Sequence, residues 1–127
     1  MPEIEVSYDK KEQKDRILEY IIRGETLYAV FACKGKDVEF VGITDQRVIF
    51  YERSLVPRRR VMVSIPYDHV LGIAAVDEGA FLQSGELVLL THSGNFAFEF
   101  MRPDRVHWTY HFIINQILNQ PEPQMKV

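Results

Sequence analysis

A chain of 127 residues, 46% apolar and 26% charged, has the size and composition of one folded domain with a sizeable core. Its formal charge of −3 gives no global field that would draw it to nucleic acid. A single cysteine, Cys33, excludes an intrachain disulfide and fits a reducing compartment.

The first residues, MPEIEVSYDKKEQK, are polar and acidic where a signal peptide is basic and then apolar. No run approaches the ~20 apolar residues of a spanning helix. The expectation is a cytoplasmic domain over residues 1–120 and a loose tail at 121–127. A helix is expected over about residues 9–23, with Asp9 as cap, Glu12 completing a capping box and Gly24 as terminator. Ile17, Leu18, Ile21 and Ile22 would form its buried face. Short strands follow over about residues 26–100. The first is TLYAVFAC, and VEFVGITDQRVIFY reads as two strands turning at Asp45-Gln46. SLVPRRR reads as a basic loop, and Val61, Val63 and Ile65 alternate in the next strand. Val70–Val76, Leu87–Thr91 and Phe96–Phe100 complete about seven strands, with a loop between Asp77 and Gly85. Pro103 suits the first turn of a closing helix over about residues 103–119. The fold class is mainly β (β-rich α+β), a sandwich or small barrel covered by that helix.

Gly24-Glu25, then Gly42-Ile-Thr-Asp-Gln-Arg47-Val-Ile-Phe50, then Ile65-Pro-Tyr-Asp-His-Val70 resemble the bacterial pleckstrin-homology-like domains in kind and order. The resemblance covers roughly Gly24 to Leu118. It implies a bent seven-stranded barrel or sandwich capped by the C-terminal helix, and no catalytic residues. It also implies that a ligand would sit at the first and third inter-strand loops. Those hold Lys34 and Lys36, then Arg58, Arg59 and Arg60, with Arg53 at the base. The sequence departs from the headgroup-binding pattern in placing Asp37, Glu39 and Glu52 among these cations.

The closing helix supplies a second candidate. At ~100° per residue, Val106, Tyr110, Ile113, Ile114, Ile117 and Leu118 share one face, while Trp108 and Phe112 are adjacent on the other. That aromatic pair needs cover, from the N-terminal helix, from a second protomer, or from the core itself, as in eukaryotic members of the superfamily. Val48–Tyr51 and Leu87–Leu90 are apolar on both faces, which also asks for an outer layer. A homo-oligomer built on Trp108 and Phe112 is therefore expected. A protein partner or an anionic membrane surface is the other expected contact, and nucleic acid is not.

Enzymatic readings find little. His107 and His111 stand at i, i+4, but Trp108 occupies the position a zincin gives to glutamate, so they read as a surface pair. Cys33 reads as buried and inert, and the glycines form no phosphate-binding loop. No metal, cofactor or catalytic residue is expected.

Overall fold

A computed structural model of the chain describes residues 5–35, 37–55, 58–76 and 85–120, leaving aside the side chains of Ser54, Leu55 and Arg58. The expected loop over 77–84, the tail at 121–127 and Lys36 lie outside the described residues. In chain order the elements are β1 (Ser7–Tyr8), α1 (Lys11–Leu18), β2 (Leu27–Lys34), β3 (Val38–Thr44), β4 (Arg47–Leu55) and β5 (Arg58–Pro66). A 3₁₀ turn at Tyr67–His69 leads into β6 (Val70–Ala75), β7 (Glu86–Thr91), β8 (Gly94–Phe100) and α2 (Arg105–Leu118).

The strands form one antiparallel path, β5-β4-β3-β2-β8-β7-β6, and the short β1 runs parallel to β2. The path is not closed, so the structure is a bent open sheet rather than a complete barrel. Its bend is at β2, which pairs with β8 only through Cys33↔Phe100 and Lys34↔Glu99. Within the bend lies the main core, where Phe31, Phe50, Phe98 and Phe100 meet Leu87, Leu89 and Ile113 of α2. The alternation of Phe96, Phe98 and Phe100 sends all three to this inner side, as period-2 geometry requires.

The outer side of β2–β4 is apolar as well, and α1 is what covers it. Ile17 is fully buried against Val30, Phe40 and Ile49, with Tyr51 and Met62 at the margin. This accounts for the two-sided apolar run at Val48–Tyr51: Val48 and Phe50 face the main core, Ile49 and Tyr51 face α1. Gly42 lets α1 come close, because a Cβ there would stand 3.1 Å from Ile17 Cγ2.

The N-terminal helix differs from expectation. It spans Lys11–Leu18 with no side-chain cap, and Leu18 and Ile22 are exposed. The backbone beyond Leu18 is engaged elsewhere: Arg47 Nη2 donates to the Tyr20 carbonyl at 2.8 Å, and Ile22 N–H donates to Glu25 Oε1 at 3.2 Å. A continuing helix would need those groups for itself. Gly24, at φ +85°, serves the turn into β2 rather than the end of the helix. Asp9 does not cap either. Its buried carboxylate accepts from Ala32 N–H at 2.9 Å and from Arg105 Nε and Nη2 at 3.1 and 2.9 Å, tying the N-terminal segment to β2 and to the start of α2.

The basic run is also not a loop. β4 and β5 stay paired up to residues 55 and 58, with Arg53 opposite Arg60, Ser54 opposite Arg59 and Leu55 opposite Arg58; residues 56 and 57 lie outside the described residues.

Candidate functional site

The motif that carried the resemblance is a structural clasp. Glu25 is fully buried and accepts from Arg47 Nε at 2.8 Å, Arg47 Nη2 at 2.9 Å and Thr44 Oγ1 at 2.8 Å. Thr44 Oγ1 in turn accepts from the N–H groups of Gln46 and Arg47, and Asp45 exchanges hydrogen bonds with the backbone of Thr26. Arg47 also reaches Ser64 Oγ at 2.8 Å, and the Tyr67 hydroxyl donates to the Thr44 carbonyl at 2.7 Å. Burial alone would raise the Glu25 pKa, but the hydrogen bonds from Arg47, Thr44 and Ile22 N–H outweigh it and leave it below the usual carboxylate value. Gly-Glu, Thr-Asp-x-Arg and Ile-Pro-Tyr are thus far apart in sequence and joined in one place for architectural reasons.

The two basic segments do meet at one end of the sheet, where Arg53 N–H donates to the Asp37 carbonyl at 2.7 Å. Their charge is partly compensated there. Glu39 takes both Arg53 at 3.2 Å and Arg60 at 3.1 Å, and Lys34 stands 3.5 Å from Glu99. Asp37 and Glu52 lie in the same corner, where burial and then Asp37 raise the Glu52 pKa. Of the described cations, Arg53 and Arg60 thus share Glu39 and Lys34 pairs with Glu99, while Arg59 is exposed and Asp37 and Glu52 add acidic charge to the same corner. Lys36 and the side chain of Arg58 lie outside the described residues.

The outward face of α2 has a different character. Trp108 is 40% exposed and stacks on Phe112 with ring centres 5.1 Å apart. Each is anchored from below: Trp108 lies edge-on to Phe31 at 6.0 Å, and Phe112 leans on Tyr28 at 4.9 Å. Phe112 therefore belongs partly to the core, against the expected placement on the far side. Leu118, expected inside, is 75% exposed. The rest of the expected face does turn inward: Ile113 is buried with Thr109 beside it, and Val106, Tyr110, Ile114 and Ile117 flank them. Trp108, His111, Phe112, Ile114, Asn115 and Leu118 together line a shallow groove of about 460 Å³. The α1 helix, packed on the outer side of β2 and β3, is not its cover.

Cys33 is buried, and burial followed by the nearby Asp9 carboxylate pushes its thiol pKa up to about 12, so no thiolate is available near neutrality. Among the described residues no group of three or more His, Cys, Asp or Glu side chains is placed to hold a metal ion. No helix among them is long and apolar enough to cross a membrane.

An open, bent antiparallel sheet closed over by a C-terminal helix is the pleckstrin-homology fold, and solved structures similar to this chain have it. A pleckstrin homology domain from Shewanella amazonensis SB2B superposes with a TM-score of 0.65 at 18% identity, covering 87% of this chain and 100% of that one. A DUF1696-family protein with a pleckstrin-homology domain from Shewanella loihica PV-4 gives 0.65 at 16% identity, covering 88% and 96%. In sequence the chain is similar to the uncharacterized protein YozO of Bacillus subtilis (strain 168), 26% identical over 82 residues, which is 65% of this chain and 69% of YozO. No family model matches. The likeness to bacterial pleckstrin-homology-like domains holds at the level of fold.

Proposed function

We propose that this chain is a non-enzymatic binding and scaffold module that assembles with further copies of itself through the outward face of α2. The Trp108–Phe112 stack carries the reading, because it leaves the indole partly in water over a half-buried Phe112, in a groove shared with the exposed Leu118. Exposed contiguous apolar surface marks interaction sites, and tryptophan is enriched among residues that dominate interfaces. The fold of the neighbours is compatible with a binding role, and the buried thiol offers no nucleophile.

Light scattering on the full chain at micromolar concentration tests it. The expected result is a mass above one chain that persists at ~1 M salt, since apolar contacts are not screened. Leu118→Lys, a change at an exposed position, should lower that mass while leaving the fold intact. A monomeric wild type overturns the reading.

A second reading is peripheral binding to an anionic membrane or a phosphorylated headgroup through Lys34, Lys36, Arg53, Arg58, Arg59 and Arg60. The placement of Arg53 opposite Arg60, and of Arg59 next to it, at one end of β4–β5 favours it. The acidic neighbours weigh against it: Glu39 already holds Arg53 and Arg60 and Glu99 holds Lys34, while a surface-binding cluster takes roughly four to eight cations at ~1 kcal/mol each. Salt-sensitive co-sedimentation with anionic vesicles, lost in the Arg58/Arg59/Arg60→Ala variant, would reverse this ranking.

A further inference from the structure

We infer that His107 and His111 form a two-imidazole chelating site for a borderline divalent transition-metal ion of the zinc, nickel and copper type. The two stand one helical turn apart on α2, both are exposed, and their ring centres are 4.3 Å apart. That separation is what carries the inference. An ion ~2.0–2.1 Å from one nitrogen of each ring stands roughly 3.2 Å from each ring centre, so two rings at about 90–109° to it are roughly 4.5–5.2 Å apart. The pair stands just short of that range, and side-chain rotation on the fixed one-turn spacing is what brings a nitrogen of each ring to the ion.

The chemistry of the donors selects the ion class. Two neutral imidazoles suit zinc, nickel and copper and offer nothing to calcium or magnesium, which take oxygen ligands. No third ligating side chain among the described residues joins the pair, so water fills the remaining positions in the isolated chain. Such a site is open, and it accepts further ligands from outside. It sits at the margin of the groove on α2, because His111 lines that groove beside Trp108 and Phe112. The site does not depend on self-association, which is measured separately in the presence of a chelator.

The test is calorimetric titration of the tag-free full chain with Ni²⁺ in a non-coordinating buffer. The expected result is no more than one ion per chain. The affinity should fall more than tenfold in His107→Ala and by a similar factor in His111→Ala, because a chelate loses its second arm in either case. His69→Ala and His92→Ala should leave it unchanged. Both helix histidines are exposed, so loss of binding with an unchanged circular dichroism spectrum is not a folding effect. Electron paramagnetic resonance with Cu²⁺ supplies a second readout, with two coupled nitrogens in the wild type and one in each variant. No binding at roughly millimolar Ni²⁺, or equal binding in the wild type and both single variants, overturns the inference.

Discussion

Glu25→Gln isolates the charge of the clasp while keeping its shape. In the wild type the carboxylate accepts four hydrogen bonds, three of them from Arg47 and Thr44 at 2.8–2.9 Å. The amide turns one acceptor into a donor, which faces Arg47 in either orientation, beside Ile22 N–H at one oxygen position or beside Thr44 Oγ1 at the other. Breaking a buried ion pair by removing one partner costs ~3–5 kcal/mol. Arg47 stays 19% exposed and keeps Ser64 Oγ and the Tyr20 carbonyl, so part of its charge remains solvated. The expected loss is therefore about 2–3 kcal/mol at neutral pH, or roughly 6–15 °C in melting temperature for a chain of this size. The pH dependence has a definite sign. The folded-state pKa of Glu25 lies below its ordinary value of 4.5, so folding favours the charged form. The stability this contributes is complete above the unfolded value and is lost as the pH falls through the folded one. Urea unfolding of wild type and variant at pH 7 and pH 3.5 should then show a gap that narrows in acid. A gap under ~0.5 kcal/mol at pH 7, or one that does not shrink at pH 3.5, would refute the account of the clasp.

Two other positions give sharp expectations. At Gly85 a Cβ would stand 2.8 Å from the Phe100 carbonyl oxygen, so Gly85→Ala must displace the backbone of β8; a loss of about 1–3 kcal/mol is expected by thermal melting. Gly72→Ala, whose Cβ would meet only Leu90 Cδ1 at 3.6 Å, is the control and should lie within ~0.5 kcal/mol of wild type. Cys33 should resist a thiol reagent at pH 8 until the chain is unfolded. Its folded pKa of about 12 against an ordinary 9.0 means the folded state holds its proton longer, so stability should fall as the pH rises above about 9. Rapid labelling of the native chain would contradict the burial.

What the sequence shows of this fold is what is local. Alternation in VEFVGIT, RVIFY and FAFEF reads directly as strand, because each side chain has a fixed side. The length of α1 is not legible, because its end is set by Arg47 and Glu25 reaching back to Tyr20 and Ile22. Asp9 has every local mark of a cap, yet its partners are Ala32 and Arg105, the latter 96 residues away. SLVPRRR lacks an apolar face and contains Pro57, so strand pairing there is invisible until β4 supplies a partner for it. Of the candidate sites, the adjacency of Trp108 and Phe112 follows from helical spacing. Their contacts with Phe31 and Tyr28 do not, because helical phase says which side a residue is on and nothing of what lies beneath.

Two apolar outer surfaces compete for the role of assembly face, and their composition separates them. The outer side of β6–β8 is built across the register pairs Gly72↔Leu90, Ala74↔Val88 and Val88↔Ala97. Leu71 and Leu90 are the exposed large apolar side chains of β6 and β7, beside the small Gly72 and Ala74, so a close approach there buries aliphatic methylenes at ~0.8 kcal/mol each and no ring. The α2 face presents an indole, a phenyl ring and an exposed leucine, already stacked and anchored on Phe31 and Tyr28. Such side chains are pre-ordered, which reduces the entropy lost on association. The other face of the sheet, on β2–β4, is spent on Ile17 of α1. For the proposed assembly, an eight-residue helix that covers one side only, and a closing helix whose aromatic pair is rooted in the core but partly open to solvent, favour α2 over the sheet as the contact surface.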